Sequence, residues 1–198
     1  LFTPSGGFGF NTGIDDAANI GWKLAAMVKG FGGEQLIASY EVERRPIGVR
    51  NTTTSGQYAD KIGSLTFPNF IEEDSARGKA SRDSLRGDLE TFKEEFASLG
   101  IVLGARYDGS PLIVSDGTAP PPDEPAKYIP SATPGGRMPH YWIGETESIF
   151  DKLGFWFTLA QVGPGAPDVS AFKQAANDLG LPLTIVQVEE VGALELYG

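Results

Sequence analysis

The chain has 198 residues, 40% of them hydrophobic and 21% charged, with a formal net charge of -10, one histidine and no cysteine. That length holds one large domain or two small ones with a real core, and no apolar run approaches a membrane span. The acidic balance argues against binding to nucleic-acid phosphates; the missing cysteines exclude disulfides, thiolate metal sites and thiol catalysis, and His140 alone cannot form a histidine metal cluster.

The chain opens on "LFTPSGGFGFNTGIDDAANIGWKL". Gly6, Gly7 and Gly9 let backbone amides approach a ligand with no Cβ in the way. A helix following them aims unsatisfied N–H groups and its positive dipole end at whatever lies there. An electron-rich carbonyl or an anion is the expected guest; a glycine-rich helix entry with no ligand is the alternative that spacing leaves open. A phosphate loop of the G-x-G-x-x-G kind fits poorly, because that loop needs a preceding strand.

Ile14, Ala17, Ala18, Gly21, Leu24, Ala25 and Val28 recur at helical spacing and predict one buried helix face. Asp15 and Asp16 suit its first turn, and Lys29 with Gly30 suits its end. After "FGG", helical spacing resumes through Leu36, Ile37 and Tyr40. Pro46 is expected to kink that helix or start a new one reaching about Ile62. Arg44 and Arg45 could grip a carboxylate or phosphate; the plainer reading is a helix surface paired with Glu41 or neighbouring carboxylates. "RDSLRGDLETFKEEFASLG" predicts a short charged helix with Leu89, Phe92 and Phe96 on its apolar side.

From Ile101, "IVLGARYDGSPLIV" predicts short strands about a DG turn. The following segment, through "GGRMP", holds half of the chain's 14 prolines and is expected to be an extended connector. "FWFTLAQV" (155–162) and "LTIVQV" (183–188) read as strands. Between them lies a helix with Asp168 as N-cap, a Val169, Phe172, Ala176 and Leu179 stripe, and Gly180 as its stop. Strand, helix and strand in this compass make a βαβ unit with parallel strands, and "ALELYG" is expected to begin another strand. His140, beside a proline and two aromatics, reads as packing, as do Trp22, Trp142 and Trp156.

The opening stretch, together with "SYEVERRPIGVRNT", resembles the flavin-dependent aromatic hydroxylases, the single-component class related to para-hydroxybenzoate and phenol hydroxylases. "LGARYDGSPLIVSDG" and "PGGRMPHYWI" are similar to the connector and thioredoxin-like extension that some of them carry. The fold class implied is α/β (α+β overall): a helical segment of an FAD-binding monooxygenase domain, then a truncated thioredoxin-like βαβ domain lacking a redox dithiol. The implied division is 1–100, 101–139 and 140–198. In that family a Gly-Asp pair and an Ala-Ala-His stand before the residue matching Leu1, and a glycine-fingerprinted dinucleotide-binding βαβ lies earlier. The expectation is therefore a part of a longer enzyme whose N-terminal polypeptide supplies them.

The resemblance implies FAD as cofactor, with Pro4, Gly7, Gly9, Phe10 and Asn11 around its ring and no catalytic side chain or metal. The N–H groups of Phe10 and Asn11 would meet the flavin's pyrimidine edge, Gly9 would give clearance and Pro4 would border the reacting side. The implied reaction puts one oxygen atom of O2 into an activated aromatic ring, with NAD(P)H as co-substrate. The implied partners are a small aromatic substrate and the rest of the enzyme, with neither nucleic acid nor membrane and with a homodimer left open. A cytoplasmic setting fits this composition. The competing reading is a stand-alone, non-catalytic thioredoxin-like interaction module in which the glycine turn is a relic.

Overall fold

The computed structural model describes residues 1–197. Its glycine turn closes as one 3-10 turn over Ser5–Gly7, where Gly6 and Gly7 sit at φ +75° and +66°, a region that side chains bearing Cβ avoid. Helix α1 (Phe8–Lys29) follows directly and stops at Gly30, whose φ of +88° provides the left-handed cap. Because α1 starts at Phe8, Asp15 and Asp16 lie about two turns in and its first turn holds no acid. The first-turn role expected for them is corrected accordingly.

The buried face of α1 is also corrected. Thr12, Asn19, Lys23 and Ala26 are buried, whereas Ile14, Leu24 and Val28 are exposed. Polar residues can line a buried face when they find partners, and Asn19 and Lys23 each make a bond there, with Asn19 Oδ1 left without a partner. Asn19 Nδ2 donates to Glu43 Oε2 at 2.8 Å, and Lys23 Nζ donates to Ser39 Oγ at 2.7 Å.

Helix α2 (Glu34–Gly63) runs unbroken through Pro46, giving up only the bond that a Pro46 N–H would have made to the preceding turn. Helix α3 (Ala76–Glu90) starts at a Ser75 N-cap, whose hydroxyl accepts from Gly78 N. Short helices α4 (Lys93–Phe96) and α5 (Leu99–Leu103) complete the series. The expected apolar side misses its target, since Leu89 and Phe96 are exposed and Leu85 is buried. The strands expected from Ile101 are replaced by α5, anchored by Ile101 N donating to Pro125 O at 3.2 Å.

The remaining elements are β1 (Trp142–Ile143), β2 (Glu147–Ser148), α6 (Ile149–Lys152), β3 (Phe157–Val162), α7 (Ser170–Asp178), β4 (Leu183–Val188) and α8 (Val191–Tyr197). β1 and β2 form an antiparallel pair that the sequence reading did not foresee. β3 and β4 pair in parallel from Phe157↔Leu183 to Val162↔Val188, with α7 between them in the chain, as the βαβ reading expected. Asp168 lies one residue outside the Val169 cap and accepts from the Ser170 hydroxyl and from Ser170 N, the latter at 3.1 Å; the hydroxyl first, then the amide, hold its carboxyl below the usual range. Over the described part of "ALELYG" the chain is helical, correcting the expected strand.

The chain divides into two compact units. The first comprises residues 1–20, 40–107 and 122–129; the second comprises 21–39, 108–121 and the chain from 130 onward. The first contains a core of Phe8, Tyr58 and Ile101 with Phe2 against it. The second has Ile149, Val186, Val188 and Ala193 at its centre. Within it, Trp22 meets Phe157 edge-on and Phe31 meets Trp156 edge-on, with centroids 6.1 and 5.0 Å apart. The helical first unit and the βαβ-bearing second agree with the α+β fold class. Among the described residues no helix is long and apolar enough to cross a membrane.

Candidate functional site

The first unit presents its glycine turn at one end of a cleft of about 450 Å³ whose walls include Gly6, Asn11, Ile14, Glu95, Leu99 and Val102. Pro4 accepts the Gly7 amide at 3.1 Å, which closes the turn. Gly6 N donates to Glu95 Oε1 at 3.1 Å, so the turn already holds a carboxylate on one amide. Phe8 points inward and packs on Tyr58, ring centroids 6.1 Å apart. Phe10, in the first turn of α1, is 80% exposed.

Each ring-contacting residue expected from the sequence falls at this end of α1, each with its own surroundings. A Cβ added to Gly7 would meet nothing within 4 Å. One added to Gly9 would come within 3.1 Å of Phe2 Cβ, so the chain's own packing already asks for glycine there. The Asn11 side chain donates back to Gly7 O at 2.9 Å.

Helix α2 holds this turn through a row of buried polar side chains. Ser55 Oγ lies 2.9 Å from Thr3 O and 3.0 Å from Ser5 O, while Thr3 Oγ1 donates to Ser55 O at 2.7 Å. Asn51 Nδ2 donates to Thr12 Oγ1 at 2.9 Å. Arg44, only 4% exposed, donates from Nε to Asp16 Oδ1 at 2.7 Å and from Nη1 to the Tyr107 hydroxyl at 3.1 Å. Burial pulls the Arg44 pKa down, but the bonds to Asp16 and Tyr107 and their charges outweigh it and leave it raised.

Arg45 is an exposed partner of Glu41 at 3.2 Å, as the plainer reading expected. Arg44 departs from that reading: it is an interior clamp on α1. Nothing in "ERRP" separates the two arginines, and the signal lies in which one faces Asp16. Ser55, Asn51 and Glu95 were likewise missed, since each is an ordinary helix-surface residue by local pattern. His140 packs edge-on against Trp142 and Phe150 in the second unit. Among the described residues no cluster of metal-ligating side chains occurs.

Residues 1–55 match the FAD binding domain family. Over 98% of its length the chain is 33% identical to the FAD-dependent monooxygenase opdD of Penicillium oxalicum and 32% identical to phenol 2-monooxygenase of a Pseudomonas species, covering 39% and 36% of those proteins. All of the chain superposes on 36% of the rebeccamycin biosynthetic enzyme RebC with reduced flavin, at a TM-score of 0.86 and 34% identity. The chain thus spans under two-fifths of the length of the curated relatives it matches.

Proposed function

We propose, from this chain's likeness to FAD-dependent aromatic monooxygenases, that it forms the flavin-ring end of such an enzyme, together with the enzyme's thioredoxin-like extension. One observation carries the reading. The glycine turn heads a long helix with its outer side open, and the FAD binding domain match covers that turn and its clamp on α2.

The residues present fit the cofactor. Gly7 offers backbone with no atom above it, and Phe10 and Asn11 lie on the exposed side of the first turn. Pro4, Gly7, Gly9, Phe10 and Asn11 would hold the ring. FAD, when bound, supplies the chemistry that activates O2 and hydroxylates an aromatic ring, with NAD(P)H as reductant.

The chain's own residues prepare the place. The start of α1 brings positive dipole to an electron-rich edge and stabilises negative charge that grows there. Asp15 and Asp16 would oppose this, and the Arg44 guanidinium, 3.8 and 2.7 Å from them, offsets part of their charge. Pro4 and the Asn11–Gly7 bond stiffen the turn so that its amides need not reorganise during the reaction. Exposed Phe10 and Ile14 give an apolar rim for the remaining polypeptide and a small aromatic substrate. An NAD(P)H-dependent enzyme fits a cytoplasmic setting.

The test is made on the complete protein. Purified enzyme should carry stoichiometric FAD, with NAD(P)H-dependent oxygen uptake stimulated by phenols. A complete protein with no flavin after reconstitution, or no stimulation by any phenolic ring, would sink the reading.

A further inference from the structure

Three buried polar residues stand at positions 44, 51 and 55 of α2, spacings of seven and four that keep them on one helix face. They grip the chain on both sides of the turn's glycines. Ser55, fully buried, holds the Thr3 and Ser5 carbonyls just before Gly6. Asn51 holds the Thr12 side chain just after the glycines, and Arg44 holds Asp16 one turn further along. Residues 6 to 11 are thereby suspended between two fixed points on one rigid rod. Apolar packing would fill the same space without setting a register, because it has no direction. Hydrogen bonds from short side chains fix position to a fraction of an ångström.

We infer that Ser55 and Asn51 are positioning residues that set the placement of the turn against the flavin ring, and so tune the ring's reduction. This rests on the reading that the complete enzyme binds FAD through the turn. Neither residue belongs to the set around the ring, and each acts through the backbone that it holds. A displacement of about 1 Å in such a contact costs on the order of a hundredfold in rate.

The experiment uses the complete flavoenzyme and four variants: Ser55→Ala, Ser55→Cys, Asn51→Ala and Ile47→Val. Ser55→Cys keeps a small side chain, slightly larger than serine, that bonds more weakly, and serves if alanine prevents folding. Ile47 is buried between Arg44 and Asn51 on the same face of α2 and has no polar side-chain atom, so Ile47→Val reports loss of packing alone. FAD content, visible spectrum, midpoint potential and rate of flavin reduction by NAD(P)H are measured on each preparation. The expected result is a shifted flavin spectrum and potential with about tenfold slower reduction for the Ser55 and Asn51 variants. KM for NAD(P)H should be unchanged, and Ile47→Val should melt earlier with the wild-type spectrum and potential. Ser55 and Asn51 variants that hold FAD with wild-type spectrum, potential and reduction rate would overturn the inference. A wild-type enzyme without FAD would instead overturn the function proposed above, which keeps the two failures apart.

Discussion

The amide of Gly6 is donated to the carboxylate of Glu95 at 3.1 Å, joining the opening turn to a short helix 89 residues later. The bond stands at a half-buried site, so its loss is felt. Removing the acceptor leaves the Gly6 N–H poorly satisfied, at about 1–2 kcal/mol. Glu95→Ala should lower the melting temperature by roughly 3–6 °C, and Glu95→Gln, which keeps a carbonyl oxygen, by much less. Thermal unfolding followed by circular dichroism decides it: an alanine variant as stable as the parent removes any structural role for this pair.

Tyr58 gives the fold an alkaline limit. Burial raises its pKa above the ordinary tyrosine value of about 10, and the negative charges of Glu94 and Glu95 raise it further. The folded state therefore keeps the phenol proton to higher pH than the unfolded state does. Stability is fully present below about pH 10 and falls as pH climbs from there through the folded pKa. Tyr58→Phe should remove this loss and leave stability near neutrality little changed, since the hydroxyl makes only a 3.3 Å bond to Glu94 O. Denaturant melts between about pH 9 and 11 would show the slope of the parent against a flatter variant. Equal slopes would mean that Tyr58 is not the group responsible.

Much of this architecture is legible in the sequence, and the misreadings share a cause. The period of α1 and its Gly30 stop are local properties, as are the two parallel strands, and each was read correctly. The burial of α1 was read backwards because hydrophobic spacing assumes that the apolar face is the covered one. Here much of the covered face is polar and bonds to Glu43, Arg44 and Asn51, all far along the chain. Ile101 and Val102 are β-branched, yet a short helix wins because burial of Ile101 and its amide bond to Pro125 outweigh local preference. In "ALELYG", Ala193 and Tyr197 stand i, i+4 on one helix face, and both join the second unit's core. The five ring-side residues came from resemblance to a family. The row at 44, 51 and 55 could only be seen once α1 and α2 were laid side by side.

Two glycines should respond to alanine with opposite signs. A Cβ on Gly100 would fall 1.7 Å from Glu124 O, where residues 122–129 cross α5. Backbone must then move, and with it the Arg50 bond to the Gly100 carbonyl at 2.8 Å. Gly100→Ala should cost about 3 kcal/mol. Gly48 lies inside α2 with nothing within 4 Å of an added Cβ, so Gly48→Ala should gain about 0.5–1 kcal/mol from helix propensity. Urea titration of both variants checks the pair, and the account fails if Gly100→Ala is neutral.

Gly9 separates packing from cofactor clearance. The structure gives it one reason to be glycine, the Phe2 side chain 3.1 Å from an added Cβ. The proposed function gives it another, the flavin ring. In the complete enzyme, Gly9→Val should lower both melting temperature and FAD content, and that single result cannot distinguish the two. Adding Phe2→Gly removes the neighbour that a valine would strike, its Cβ included. If Phe2 is the whole reason, the double variant regains flavin and the wild-type spectrum along with most of its stability, less what Phe2 itself contributes to the Phe8–Tyr58–Ile101 cluster. If the ring also needs the space, Phe2→Gly alone binds FAD normally, while the double variant folds but stays flavin-poor. The second outcome is expected, because Gly9 follows the open Gly7 on the turn and precedes exposed Phe10. FAD absorbance per protein, read beside thermal melts of the two single variants and the double variant, makes the distinction. Full flavin recovery in the double variant would assign Gly9 to packing alone and remove it from the ring-contacting set.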